Sequence, residues 1–200
     1  MQCQPKNSFA LVLTLLLSTV SSSFGATGTL TYLEQFHEGE YEGEYQCADE
    51  ELEIDCKPHG RGTMEYRNGD RYAGEFFQGE KSGQGTFYIE IPYHFRSWYG
   101  RECYFTGVWK GNQLTDGVMS IEGVYYYAGQ VSFSFPEGEG KLVMDDTTWV
   151  GTFESGELVE GIKTVIGGTT WDGTFRSGKL VEGVKTLSDG STQKITRPYF

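Results

Sequence analysis

The sequence predicts an all-β protein made of β-hairpins laid side by side, and three observations carry the prediction. First, the chain repeats itself: WVGTFESGELVEGIKT at Trp149–Thr164 returns 22 residues later as WDGTFRSGKLVEGVKT at Trp171–Thr186. A fixed period in this range marks stacked supersecondary units, each too small to bury its own apolar face. Second, the 200 residues include 28 glycines, 13 tyrosines and 13 phenylalanines, a composition of short strands and frequent turns rather than long amphipathic helices. Third, Asn68-Gly69, Gly167-Gly168 and Asp189-Gly190 punctuate the repeats, and such pairs tolerate the positive φ that tight hairpin turns demand.

Residues 1–25 read differently. One cation, Lys6, precedes the apolar run Phe9–Leu17, and small residues follow from Ser21 to Gly25. That layout predicts a secretory signal peptide cleaved after Gly25, and with it a secreted or exported location. The apolar run is too short for a comfortable span of a hydrocarbon core about 30 Å thick. Residues 26–40, ATGTLTYLEQFHEGE, read as a leading strand that caps the array, because open arrays must cover their edges.

The repeat domain is expected over 41–193. Aligning on a ring–x–Gly–x–ring element yields six units, centred on Gly43, Gly74, Gly107, Gly129, Gly151 and Gly173. The last four glycines are 22 residues apart, and insertions at 47–56 and 91–103 lengthen the first two intervals to 31 and 33. Side chains alternate across a strand, so the two rings of Trp149-Val150-Gly151-Thr152-Phe153 share one face. The glycine between them leaves a slot for a neighbouring unit's ring. Glu42, Glu44, Asp172 and Thr174 fall on the opposite face, toward water. A glycine turn such as Gln78-Gly79 or Ser155-Gly156 leads into a second strand carrying Gly83-Gln84-Gly85 or Gly138-Glu139-Gly140. A lone hairpin is marginal in water, so stacking creates the core. Residues 194–200 read as a C-terminal tail in which Pro198 ends regular pairing.

The stretch Tyr72-Ala73-Gly74-Glu75-Phe76, followed by Gly79, Gly83, Gly85 and Phe87, resembles the MORN (membrane occupation and recognition nexus) repeat. After Asp116 the paired glycines become Asp116-Gly117-Val118, Glu160-Gly161-Ile162 and Glu182-Gly183-Val184, a divergent subtype. The resemblance implies an elongated, single-layer antiparallel β-meander with an aromatic-lined groove. It also implies a protein-interaction or assembly role. The family is associated with membrane-proximal scaffolding and proposed phosphoinositide contact, which the charge of this chain opposes.

That charge is −12, with an isoelectric point near 4.7. Such a surface repels phosphate backbones and anionic lipid, arguing against nucleic-acid binding and strong anionic-membrane binding. Cys47 and Cys56 bracket the acidic segment ADEELEID, and a disulfide closing so short a loop is worth about 2–3 kcal/mol. Cys103 is then odd: buried and free, bridging between chains, or competing for either partner.

Catalytic residues are not evident. His37, His59 and His94 fall in separate units without metal-ligand spacing, and no nucleophile pattern accompanies them. The acidic run Asp49 to Asp55 lacks the order of a calcium loop and reads as a solvated loop. The acidic positions recur with the repeat, as outward-facing residues do, rather than as a glycosidase pair. The insertion Ile91–Cys103 is more informative: Tyr93, Phe95, Arg96, Trp98 and Tyr99 have the composition of an interface hot spot, or of rings covering an edge. The expectation is therefore an exported, non-enzymatic scaffold without metal or cofactor. Its partner is another protein or a second copy. A carbohydrate- or envelope-associated binder is the alternative, followed by a hydrolase with an unrecognised site.

Overall fold

The computed structural model describes residues 26–34, 37–49, 55–90 and 103–196. These residues form one open antiparallel sheet in which every strand pairs with its neighbours in sequence. The strands are β1 (Ala26–Glu34), β2 (His37–Gln46), β3 (Lys57–Tyr66), β4 (Arg71–Phe77), β5 (Glu80–Ile89), β6 (Cys103–Lys110) and β7 (Gln113–Ile121), continuing with β8 (Tyr125–Ser132), β9 (Phe135–Met144), β10 (Thr147–Glu154), β11 (Glu157–Val165), β12 (Thr170–Arg176), β13 (Lys179–Thr186) and β14 (Thr192–Thr196). The six ring–glycine–ring units are the hairpins β2–β3, β4–β5, β6–β7, β8–β9, β10–β11 and β12–β13.

Both ends of the array differ from expectation. Residues 26–40 are not one capping strand, because β2 already begins at His37 and pairs with β1. At the other end, Thr192–Thr196 pairs with β13, so 194–196 belong to the sheet rather than to a tail. The hairpin tips follow turn chemistry. Phe133-Ser134 and Asp145-Asp146 hold positive φ at both positions (48° and 67°, 48° and 59°) without glycine, the conformation that a two-residue hairpin turn imposes.

One register dominates the sheet. Gly28, Gly43, Gly62, Gly74, Gly85, Gly107 and Gly117 face one another in turn. Gly129, Gly140, Gly151, Gly161, Gly173 and Gly183 continue the row through β13, and Ile195 ends it in β14. The strands need glycine here. A Cβ on Gly151 or Gly173 would run into the carbonyl of Glu160 or Glu182 on the facing strand, and φ is +146° and +142°.

The slot expected between the two rings of a first strand is not taken by a neighbouring unit's ring: a Cβ on Gly43, Gly74 or Gly129 would meet the Cα of the facing glycine and the hydroxyl of Tyr41, Tyr72 or Tyr127. A Cβ on Gly62, Gly85 or Gly140 would strike Tyr41, Tyr72 or Tyr127, the first ring of the same hairpin. These tyrosines are the most buried side chains of the sheet, with no exposed surface. Their rings meet others edge-on, Tyr41 to Phe76 at 5.1 Å, Tyr72 to Phe76 at 5.0 Å and Tyr127 to Phe153 at 5.5 Å, the arrangement that aromatic quadrupoles favour. Trp149 packs against this core and Phe153 lies in it, so both rings of that unit share a face.

The two subtypes of repeat differ in bulge length. In β4–β5, Gly74 faces Gly85 but Glu75 faces Ser82, so Gly83 and Gln84 loop out. In β6–β7 only Thr115 loops out, between Val108–Asp116 and Trp109–Leu114. The longer bulge accompanies a tyrosine as first ring. Tyr41, Tyr72 and Tyr127 donate their hydroxyls to the carbonyls of Glu44, Glu75 and Gln130 at 2.6, 3.1 and 2.7 Å. Phe105, Trp149 and Trp171 have no hydroxyl to place there, and their hairpins keep the shorter bulge.

Candidate functional site

The register sets one long row of side chains on the ring-bearing face. It runs Tyr41, Met64, Tyr72, Phe87, Phe105, Met119, Tyr127, Leu142 and Trp149, strand by strand. Lys163, Trp171, Lys185 and Gln193 complete it. The apolar row thus turns cationic at its C-terminal end. Lys163 Nζ lies 5.6 Å from the rings of both Trp149 and Trp171, and Lys185 Nζ lies 5.5 Å from Trp171. Cations held over indole faces are stabilised by the ring quadrupole.

Beside this ladder an open cleft of about 400 Å³ is lined by Trp171, Phe175, Leu180, Gln193 and Ile195, with Lys163, Lys179 and Lys185 around it. Among the described residues, none of these three ammonium groups forms an ion pair. The repeat motif supplied the signal: Lys163 and Lys185 are the lysines of Ile-Lys-Thr and Val-Lys-Thr in the duplicated segment.

A second cation lies deeper. Lys81 is 7% exposed and its Nζ sits 5.0–5.8 Å from the rings of Phe87, Tyr66, Trp109 and Tyr72. Its one short polar contact donates to Tyr66 Oη at 3.4 Å. Burial lowers its pKa, with Asp70 opposing. The register explains its depth. Lys81 faces Phe76 where Leu114, Leu158 and Leu180 face Trp109, Phe153 and Phe175. Two tyrosines, Tyr66 beside Lys81 and Tyr127 farther along the sheet, are shifted the other way. Burial, then Asp70, pushes Tyr66 up to about 12, and burial above all raises Tyr127 to about 12.

Cys47 and Cys56 are joined by a disulfide, with Cα atoms 3.8 Å apart. Cys103 is a buried free thiol, its pKa raised by burial. His59 packs against Phe77, ring centroids 5.2 Å apart. Among the described residues no group of three or more His, Cys, Asp or Glu is placed to hold a metal ion. Tyr93, Phe95, Arg96, Trp98 and Tyr99 lie outside the described residues, as do His94, residues 50–54 of the acidic segment and residues 1–25, where a signal peptide is expected.

A single open sheet of ring–glycine–ring hairpins with one ring-bearing face defines a β-hairpin repeat protein. The MORN repeat family's profile matches four segments of this array, residues 57–71, 72–89, 127–147 and 171–192. These segments hold β3, the hairpins β4–β5 and β8–β9, and the divergent β12–β13. Alsin from Homo sapiens and from Mus musculus is 36% identical over 72 residues, covering 36% of this chain and 4% of alsin. The inactive protein tyrosine kinase pTKL of Plasmodium berghei (strain Anka) is 43% identical over 47 residues, covering 24% of this chain and 3% of that protein. The chain therefore spans only a few per cent of the length of these curated relatives.

Proposed function

We propose that the chain is an exported, non-enzymatic scaffold that binds another protein, or a second copy of itself, through the ring-bearing face of its sheet. The observation that carries this reading is the row from Tyr41 to Gln193 on one face of a single-layer sheet: its tyrosines and methionines are buried among their neighbours, and the half-buried Phe87, Phe105, Trp149 and Trp171 with Lys163 and Lys185 are what it offers a partner. Repeat arrays of this kind gather small contacts from successive units into one extended binding surface. The likeness to alsin and pTKL is confined to short segments of much longer proteins, in keeping with a module used for attachment. The Cys47–Cys56 disulfide supports an oxidising, exported compartment. The −12 charge makes a protein partner a better fit than nucleic acid or anionic lipid.

Photo-crosslinking tests the reading. A benzophenone side chain placed at Phe105, on the ring-bearing face, and at Val150, on the opposite face, is irradiated in the native setting of the full chain. The scaffold reading expects a discrete adduct from position 105 and none from position 150. Equal adducts from both faces, or none from either, would count against it.

A further inference from the structure

In three hairpins the second ring sits over the hairpin before it, and in β8–β9 the same position is Val131. Phe76 faces Gly60 and meets Tyr41 edge-on at 5.1 Å. Trp109 faces Gly83, donates from its indole nitrogen to the Gly85 carbonyl at 3.0 Å, and meets Tyr72 at 5.4 Å. Phe153 faces Gly138 and meets Tyr127 at 5.5 Å. Over the last hairpin, β12–β13, no described ring takes the corresponding seat, and the cleft of about 400 Å³ opens there with Phe175 and Leu180 in its lining.

Two further features meet at this cleft. Lys163, Lys179 and Lys185 surround it without an ion-paired carboxylate among the described residues, in a chain of net charge −12. Beside it runs β14, whose outer edge has no partner strand among the described residues.

We propose that this cleft and the β14 edge together form a docking site for an extended acidic segment of a partner protein that carries an aromatic side chain. The inference rests on the scaffold reading and adds the partner's chemistry. The segment adds to β14 as a further strand, its main chain bonding to the edge that no described strand pairs with. Its aromatic side chain occupies the seat that no ring among the described residues fills, where a buried anchor carries most of an interface's energy. Its carboxylates meet the three lysines, which supplies orientation and association rate. An anionic sugar polymer would satisfy the lysines but bring no ring to the seat.

The chain itself contains a sequence of the required kind, HEGEYEGEYQ at His37–Gln46, and a synthetic peptide of that sequence serves as the probe. Titrated calorimetrically into the full chain, it is expected to bind saturably and to weaken as salt rises. The double variant Lys179→Gln/Lys185→Gln, its melting temperature measured alongside, should bind roughly tenfold more weakly. A peptide with both tyrosines replaced by alanine should weaken similarly. A peptide methylated on alternate backbone nitrogens should not bind, since it lacks strand donors.

Several outcomes overturn the proposal: no binding of the parent peptide, equal binding of the methylated peptide or of the lysine variant, binding of polygalacturonate in place of the peptide, or binding seen only after deletion of residues 197–200. If the benzophenone adduct at position 105 forms equally in the lysine double variant, the scaffold reading stands and this one falls.

Discussion

Tyr72 occupies the space that Gly85 leaves by having no side chain. A Cβ added at Gly85 would strike the Tyr72 hydroxyl and ring, and Tyr72 has no exposed surface into which to retreat. Gly85→Ala is therefore expected to cost about 1–3 kcal/mol, the usual range for overpacking a filled site. Combining it with Tyr72→Leu should cost less than the sum of the two single changes, because the pair shares one volume. Urea unfolding midpoints of the three variants decide the point.

The tyrosine hydroxyl should matter only where the bulge is long. Tyr127→Phe removes the 2.7 Å bond to the Gln130 carbonyl and is expected to cost about 1 kcal/mol. Phe105→Tyr, in a hairpin with the shorter bulge, should bring no matching gain. Thermal melts of both variants test whether ring identity and bulge length are coupled as described.

Lys81 is a buried cation in a position that other hairpins give to leucine. Replacing a buried charge by a packed apolar residue is often neutral or stabilising, so Lys81→Leu is expected to leave stability unchanged or raise it by about 1 kcal/mol. The pH dependence has a definite sign. Burial lowers the folded-state pKa below the ordinary lysine value of 10.5, so the unfolded chain holds the proton more tightly in that window. The native protein should therefore gain stability relative to the leucine variant as pH rises toward 10.5, closing the gap between them.

The tyrosines act in the opposite direction at higher pH. Tyr66 and Tyr127 ionise near 12 in the fold against 10.0 when unperturbed. Their contribution is fully present below pH 10 and is lost between pH 10 and about 12, because the unfolded chain releases its protons first. Tyrosinate absorbance should consequently rise together with the loss of sheet circular dichroism. Full tyrosinate absorbance at pH 11 with the sheet signal intact would contradict the burial of these rings.

Cysteine chemistry separates the two kinds of thiol. Cys47→Ser with Cys56→Ser is expected to lower stability by about 2–3 kcal/mol through loss of the closed loop. Cys103, buried and with a raised pKa, should resist alkylation in the native protein and react on unfolding. Peptide mapping after labelling reads both.

Much of the architecture was legible because it depends on short-range regularities. The spacing of Trp149, Gly151 and Phe153 places both rings on one face by strand alternation alone, and the turn pairs mark where strands end. What escaped prediction involves partners on other strands. Gly74 reads as a slot for a neighbouring unit's ring, yet what closes it depends on register, and the answer is the backbone at Gly85 with the hydroxyl of the hairpin's own Tyr72. Nothing in the local sequence marks Lys81, whose burial follows from the pairing that sets it opposite Phe76 and beneath Trp109. The shifted glycines after Asp116 read as a divergent subtype, and the register gives the reason: they belong to the same glycine row with one residue fewer in the bulge. The cleft by Trp171 had a visible signal in the duplicated lysines, but its opening follows from where the stack of rings stops.

The glycine row has an evolutionary consequence. Because every strand bonds only to its sequence neighbours and meets them at the same glycine, a segment copied in tandem can be inserted without any older strand changing company. The near-identical stretches at Trp149–Thr164 and Trp171–Thr186 are what a recent duplication of that kind leaves behind. Ladder length is then a freely adjustable trait, gained or lost one rung pair at a time.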